Sequence, residues 1–141
     1  MAIYSSGSVF AQKLLMRHVR GEQGTEDLEG LVNGGWFDTV NAGFKAEKGS
    51  YEKIAGELKV RHCIILVSRH LLSNAVLLTA LHLQLAPESI LFLSDNVKEV
   101  EAALAAGMKS LVVDRPGNAP LSSEDKSRFE IVDSFAKISL A

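Results

Sequence analysis

Three short polar sites stand where this sequence could do chemistry. The first is Ser5-Ser6-Gly7-Ser8, between the apolar Ala2 to Tyr4 and a segment with apolar residues at helical spacing (Val9, Phe10, Leu14, Leu15). Hydroxyls and free backbone N–H groups at a helix start suit a phosphate, although a simple capped turn uses the same residues. The second is Asp95, directly after the uninterrupted apolar run ILFLS. A carboxylate at the end of a buried strand is a good hard-cation ligand, and equally a good N-cap for the next helix. Glu99, one turn on, could orient a ligand but is expected to face solvent. The third is Lys45, which follows the glycine at 43 and alone reads as a surface lysine.

These sites need elements to hold them. Ala2 to Tyr4 reads as a strand end, and Val9 to His18 as a helix capped by Ser8. Glu26 to Val32 reads as a short helix stopped by Asn33-Gly34-Gly35, and WFDTVNAGFK as a loop or short strand pair. Ser50 is placed to cap a helix from Tyr51 to about Leu58. ILFLS reads as a buried parallel strand, Val97 to Ala106 as a helix with Gly107 at its C-terminus, and Lys109 to Val113 as another strand. Ser122 with Asp125 is a capping signal, Glu130 to Val132 a last strand, and Ser134 to Ile138 a terminal helical turn. Strands alternating with helices predict an α/β fold with a parallel sheet, in which ligands sit at the carboxyl ends of the strands.

The chain has 141 residues, 47% hydrophobic and 23% charged, with a formal net charge of −2. That is one domain with a core of its own and no electrostatic case for a nucleic-acid partner. A single cysteine, Cys63, forms no internal disulfide, which suits a reducing compartment. The first dozen residues lack the basic and long apolar regions of a signal peptide.

The order strand–Ser, Lys, strand–Asp is that of the last three motifs of the haloacid-dehalogenase-type phosphatases. The segments YSSGSVFAQKLL, GWFDT, GFKAEKGSYEKIA, ILFLSDNVKEVEAALAAGM and VVDRPGNAPLSSEDK resemble, more closely still, the enolase-phosphatase (acireductone synthase) family of methionine salvage. The resemblance implies an incomplete Rossmann-like parallel-sheet core. It implies Ser5 and Ser6 as phosphate- and substrate-binding residues, Lys45 as the lysine stabilising the phosphoryl group, and Asp95 as a Mg²⁺ ligand. The implied reaction is Mg²⁺-dependent enolisation and dephosphorylation of 2,3-diketo-5-methylthiopentyl-1-phosphate. A small-molecule partner, a monomer, and a cytoplasmic location extending to the nucleus come with it.

The family's nucleophile lies in a DxEGT-type motif. Asp27, Asp38, Asp114, Asp125 and Asp133 all lack the following Gly-Thr. The chain is therefore expected to be the C-terminal part of one such domain, without its first, central strand and its helical cap, and to be inactive as it stands. A non-catalytic phosphate-binding module and a product without function are the alternatives. A receiver-type signalling domain would need an acidic pair on an earlier strand, and none precedes Ser5.

Between Lys59 and Leu85 the chain is greasy, without an acidic residue, and holds Cys63, His62, His70 and His82. Ser73, Asn74, Thr79, His82 and Gln84 interrupt it too often for a membrane span. The histidines and cysteine match no familiar zinc spacing. Removing residues 60 to 84 joins SYEKIAGELK to LAPESILFLSD, the family's helix–loop–strand. The stretch is thus expected to be an insertion at one point, and its codons can encode splice signals, as a translated intron would. If it folds, CIILV has the β-branched content of a strand that could enter the gap left by the missing one, and Leu71 to Leu83 reads as helical.

Overall fold

The computed structural model describes residues 1–21, 24–69 and 86–138. Its first strand, β1 (Ala2–Tyr4), pairs in parallel with β4 (Gly35–Phe37). Helix α1 (Val9–Arg17) lies between them in the chain. Ser8 caps it as the sequence predicts, its hydroxyl accepting from Ala11 N at 3.3 Å. WFDTVNAGFK is thus neither a pure loop nor a strand pair: its first residues complete a parallel strand, and the rest is turn.

The helix expected over Glu26–Val32 does not form. Strand β2 (Val19–Gly21) instead meets β3 (Gly24–Glu26) in a small antiparallel pair, and only Glu29–Leu31 makes a 3₁₀ turn. The reason is local. The Asp27 side chain accepts from Glu29 N at 2.9 Å, a turn contact that competes with helix. Arg17 and Lys13 of α1 pair with Glu29 and hold the turn against that helix.

Helix α2 (Lys48–Arg69) has 22 residues, about 33 Å at 1.5 Å per residue. It begins before Ser50, which is no cap. Ser50 is buried within the first turn, and its hydroxyl donates to Phe44 O at 2.8 Å. The helix also runs past Leu58 through Cys63–Val67. CIILV is therefore helix, not a strand filling a gap. No Gly or Pro follows Gly56 before Arg69, and an established helix adds residues more cheaply than a strand without a neighbour can form. The helix expected over Leu71–Leu83, and with it most of the proposed 60–84 insertion, lies outside the described residues.

After a 3₁₀ turn (Pro87–Ser89) come β5 (Leu91–Ser94), α3 (Val97–Ala105), β6 (Lys109–Val113), a short helix α4 (Ser123–Arg128), and β7 (Ile131–Val132). The last turn is 3₁₀, over Phe135–Lys137. Strands β5, β6 and β7 form one parallel sheet in that order, separate from β1–β4. Gly107 ends α3 at φ +85°, a conformation that suits glycine, and turns the chain into β6. The α/β architecture with mostly parallel strands is the one expected.

ILFLS departs from its expectation in one respect. A strand in a parallel sheet should be covered on both faces, yet all four residues of β5 are only half-buried. Among the described residues β5 has a partner on one side alone, β6.

One aromatic joint connects the two parallel sheets. Tyr51 of α2 is 1% exposed and meets Tyr4 of β1 (ring centroids 5.6 Å) and Phe92 of β5 (5.0 Å), both edge to face. Ala55, Ala102, Ala103 and Met108 pack around it. A second cluster, Phe37, Ala42 and Ile54, seats α2 on the β1–β4 pair. Replacing a buried aromatic by alanine typically costs about 3–5 kcal/mol. Tyr51→Ala is therefore expected to lower the free energy of unfolding by about that much, whereas Tyr51→Phe, which loses one hydrogen bond, should cost about 1 kcal/mol. Urea denaturation followed by circular dichroism measures both.

Candidate functional site

The carboxyl ends of β1 and β5 lie on the same side of α2, and Lys45 joins them. A polar turn carries it there. Asp38, at the end of β4, is buried, and its Oδ1 accepts from Val40 N and Asn41 N, each at 2.9 Å. Its Oδ2 accepts from Val9 N at 2.9 Å, which ties this turn to the start of α1. Asn41 returns a bond from its own side chain, accepting from Asp38 N at 2.8 Å. The spacing Asp-x-x-Asn is itself a turn signal, a further one beside the motifs at Ser5, Lys45 and Asp95.

Gly43 continues the turn at φ +114°. A Cβ there would come within 2.5 Å of Ser50 Oγ, so only glycine fits. Its carbonyl accepts from the Tyr4 hydroxyl at 2.6 Å, and the Lys45 carbonyl from the Tyr51 hydroxyl at 2.7 Å. The backbone around Lys45 is thereby fixed from β1 on one side and from α2 on the other. Burial is the main reason that both phenols are held above the ordinary tyrosine range.

The Lys45 ammonium pairs with Glu99 Oε2 at 2.8 Å and lies 5.6 Å from the Tyr4 ring centroid. Both charged side chains are mostly covered, Lys45 at 21% exposure and Glu99 at 12%. Glu99 Oε2 also accepts from the Ser94 hydroxyl at 2.9 Å. This overturns the expectation that Glu99 faces solvent. It orients Lys45 from the first turn of α3, where the positive end of the helix dipole also favours a carboxylate. A pair this well covered and doubly bonded is held more firmly than an exposed ion pair.

The remaining expected residues flank this centre. Ser5 follows Tyr4. Its backbone N–H donates to Phe37 O at 3.1 Å, and its hydroxyl accepts from Gly7 N at 3.2 Å. Ser6 is exposed beside it. Asp95 follows Ser94 and is also exposed; the N-cap of α3 is Asn96, which accepts from Lys98 N, so capping does not claim Asp95. The structure thus brings Lys45 to the ends of both strands, between the residues preceding Ser5 and Asp95. No hydrogen bond or ion pair among the described residues joins Ser5, Ser6 or Asp95 directly to Lys45. Among those residues no three His, Cys, Asp or Glu side chains converge as a metal cage.

A cavity of about 880 Å³ lies elsewhere, lined by Glu88, Ser89, Lys109 and Glu130 near the amino ends of β5, β6 and β7. It is the wrong end of the sheet for a ligand in an open α/β fold. No described helix is long and apolar enough to cross a membrane.

Comparison with known proteins gives this geometry a context. No family model matches the chain. It is 44% identical over 138 residues to a protein named enolase-phosphatase E1 from Debaryomyces hansenii, an alignment covering 98% of this chain and 47% of that protein. It is 48% identical over 136 residues to the proteins of the same name from Sordaria macrospora and Neurospora crassa, covering 96% of this chain and 47% of each. Among solved structures it is similar to the Saccharomyces cerevisiae protein UTR4 (unknown transcript 4), with a TM-score of 0.69 and 30% identity, over 96% of this chain and 49% of that one. The chain spans about half the length of the curated relatives it matches.

The Asp38 network has a pH signature. Chiefly the N–H groups of Asn41 and Val9, with help from Val40, hold its carboxyl below the ordinary aspartate value of 3.8. A depressed folded value stabilises the fold above the unfolded one, and the contribution is lost as pH falls through the folded value. Asp38→Asn is expected to remove that part of the pH dependence of Tm at and below pH 3.8. A series of thermal melts on both proteins from neutral to acid pH tests this; parallel curves would refute it.

Proposed function

The chain is homologous to the enolase-phosphatase E1 proteins over nearly all of its own length, and from that premise we propose that it forms the phosphate-binding part of a phosphatase of this kind. The observation that carries the proposal is Lys45, held by Glu99 between the carboxyl ends of β1 and β5. In this reading Lys45 supplies the positive charge that meets a phosphoryl group. The hydroxyls and N–H groups of Ser5-Ser6-Gly7 bind its oxygens at the start of α1. Glu99 and Ser94 fix the ammonium so that little reorganisation is needed when charge develops. The proposed substrate is 2,3-diketo-5-methylthiopentyl-1-phosphate, a small phosphate ester, in the cytoplasm and with the chain as monomer.

Magnesium belongs to the same proposal. Asp95 is exposed at a strand end, and capping leaves it available. Mg²⁺ is commonly held by one or two carboxylates, with water and substrate phosphate filling the shell, so this single carboxylate fits part of such a site. Bound there, the ion would neutralise phosphate charge. The chain's own residues bind and orient the ester. A nucleophile is another matter, because no aspartate of the chain is followed by Gly-Thr. We infer that the chain by itself binds phosphate without turning an ester over.

Thermal shift with inorganic phosphate tests the binding. At ten times the dissociation constant the stabilisation should be about 1.4 kcal/mol, and Lys45→Ala should abolish the phosphate-induced increment whatever its own Tm. No phosphate should be released from a phosphate monoester in the presence of Mg²⁺. Turnover that disappears on Asp95→Ala would refute the inactivity. Absence of phosphate stabilisation in the parent protein would refute the binding reading.

A further inference from the structure

Among the described residues, one buried side-chain polar atom has no hydrogen-bond partner: Gln12 Oε1. Gln12 is the fourth residue of α1 and is 6% exposed. Both hydrogens of its amide are used. Nε2 donates to Gly7 O and to Phe37 O, each at 2.8 Å. The opposite orientation of the amide would set Oε1 against two carbonyl oxygens, so the partners fix which atom is which. An unpaired buried carbonyl costs stability, and a fold that keeps one needs a reason. The two bonds made by Nε2 supply it.

Both bonds end on the turn that carries Ser5 and Ser6, or on its support. Phe37 O also accepts from Ser5 N at 3.1 Å. Gln12 thus joins α1, the turn, and the end of β4, where the loop leading to Lys45 begins. The bond to Gly7 O has the larger consequence. In a trans peptide the C=O and the N–H that follows it point in opposite directions, and no described peptide bond is cis. Turning the Gly7 carbonyl inward, onto a buried side chain, therefore turns Ser8 N–H outward.

The surrounding N–H groups are distributed to match. Ser5 N is bonded to Phe37 O, Gly7 N to Ser5 Oγ at 3.2 Å, and Val9 N to Asp38 Oδ2 at 2.9 Å. Among the described residues, Ser6 N and Ser8 N donate to nothing, and both residues are exposed. Two outward N–H groups beside two serine hydroxyls form an anion-binding concavity. With the Gly7 peptide turned over, the same place would present a carbonyl oxygen, which repels an anion.

We propose that Gln12 is a positioning residue for phosphate binding: it holds the Gly7 carbonyl inward so that Ser8 N–H, beside that of Ser6, meets a phosphoryl oxygen. This rests on the phosphate reading above and assigns the groups of the turn that carry it. Gln12 is buried and acts through the turn. What the position requires is a donor, and an apolar side chain of equal bulk would fill the space while releasing the carbonyl.

The test is titration of the full chain with inorganic phosphate, followed through the backbone amide resonances of isotope-labelled protein. In the parent, the Ser6 and Ser8 amides should shift most. Gln12→Met keeps the bulk and removes both donors. Its dissociation constant for phosphate should rise at least about tenfold, the worth of one charge-assisted hydrogen bond. Gln12→Glu adds a readout that a purely structural role would not move. A protonated carboxyl donates one hydrogen bond and an ionised one donates none. Burial against carbonyl oxygens favours the protonated form, so the affinity of this variant relative to the parent should recover between about pH 7 and about pH 5. Comparison at equal pH cancels the titration of phosphate itself.

Equal phosphate affinity in Gln12→Met and the parent would overturn the proposal. So would a deficit in Gln12→Glu that is the same at every pH, or a parent Ser8 amide that does not respond at saturation. If Gln12→Met does not fold, the Ser8 response of the parent and the pH dependence of Gln12→Glu decide. A parent that binds no phosphate defeats the phosphate reading itself, whereas a parent and a Gln12→Met variant that bind it equally defeat this inference alone.

Discussion

The buried ring of Tyr51 is the centre of the packing that joins the two parallel sheets. Tyr51 touches a strand of each parallel sheet, and among the described residues no hydrogen-bonded ladder connects those sheets. Its hydroxyl also bonds the Lys45 carbonyl, so the packing joint and the polar site share a residue. Aromatic burial here does what a ladder of backbone bonds would otherwise do, and an edge-to-face contact adds direction to it. The placement of Lys45 relative to both strand ends follows from this joint.

The charges obey the same economy of position. Asp38 is satisfied by three backbone N–H groups of its own turn and of α1. Glu99 is satisfied by Lys45 and Ser94. Each carboxylate spans two elements, so each fixes a loop that packing alone would leave loose. A buried carboxylate with several donors orders its surroundings because removing any donor leaves a costly unpaired group.

Much of this was legible in the sequence where the signal is local. The Ser8 and Ser122 caps, Gly107, and strands β5, β6 and β7 all rest on residue types that act within a few positions of themselves. What escaped depends on distant partners. Glu99 reads as solvent-facing because nothing within its helix shows that Lys45, 54 residues earlier, reaches it. Ser50 has the chemistry of a cap, but Gly43 and Phe44 approach it closely and bury it in the first turn. Glu26–Val32 has helical composition, but Arg17 and Asp27 settle it as a turn.

The segment CIILV shows the limit of composition most clearly. Its β-branched residues favour a strand only when a neighbouring strand receives them, because β preference is largely a preference for a paired, half-buried surface. Continuing α2 needs no such partner: each added residue closes its bond within the helix. Among the described residues α2 therefore extends through Arg69, while β1 and β5 each pair on one side. A sequence suited to filling a sheet and a sheet with an open edge can coexist in one chain when local helix formation is the easier step.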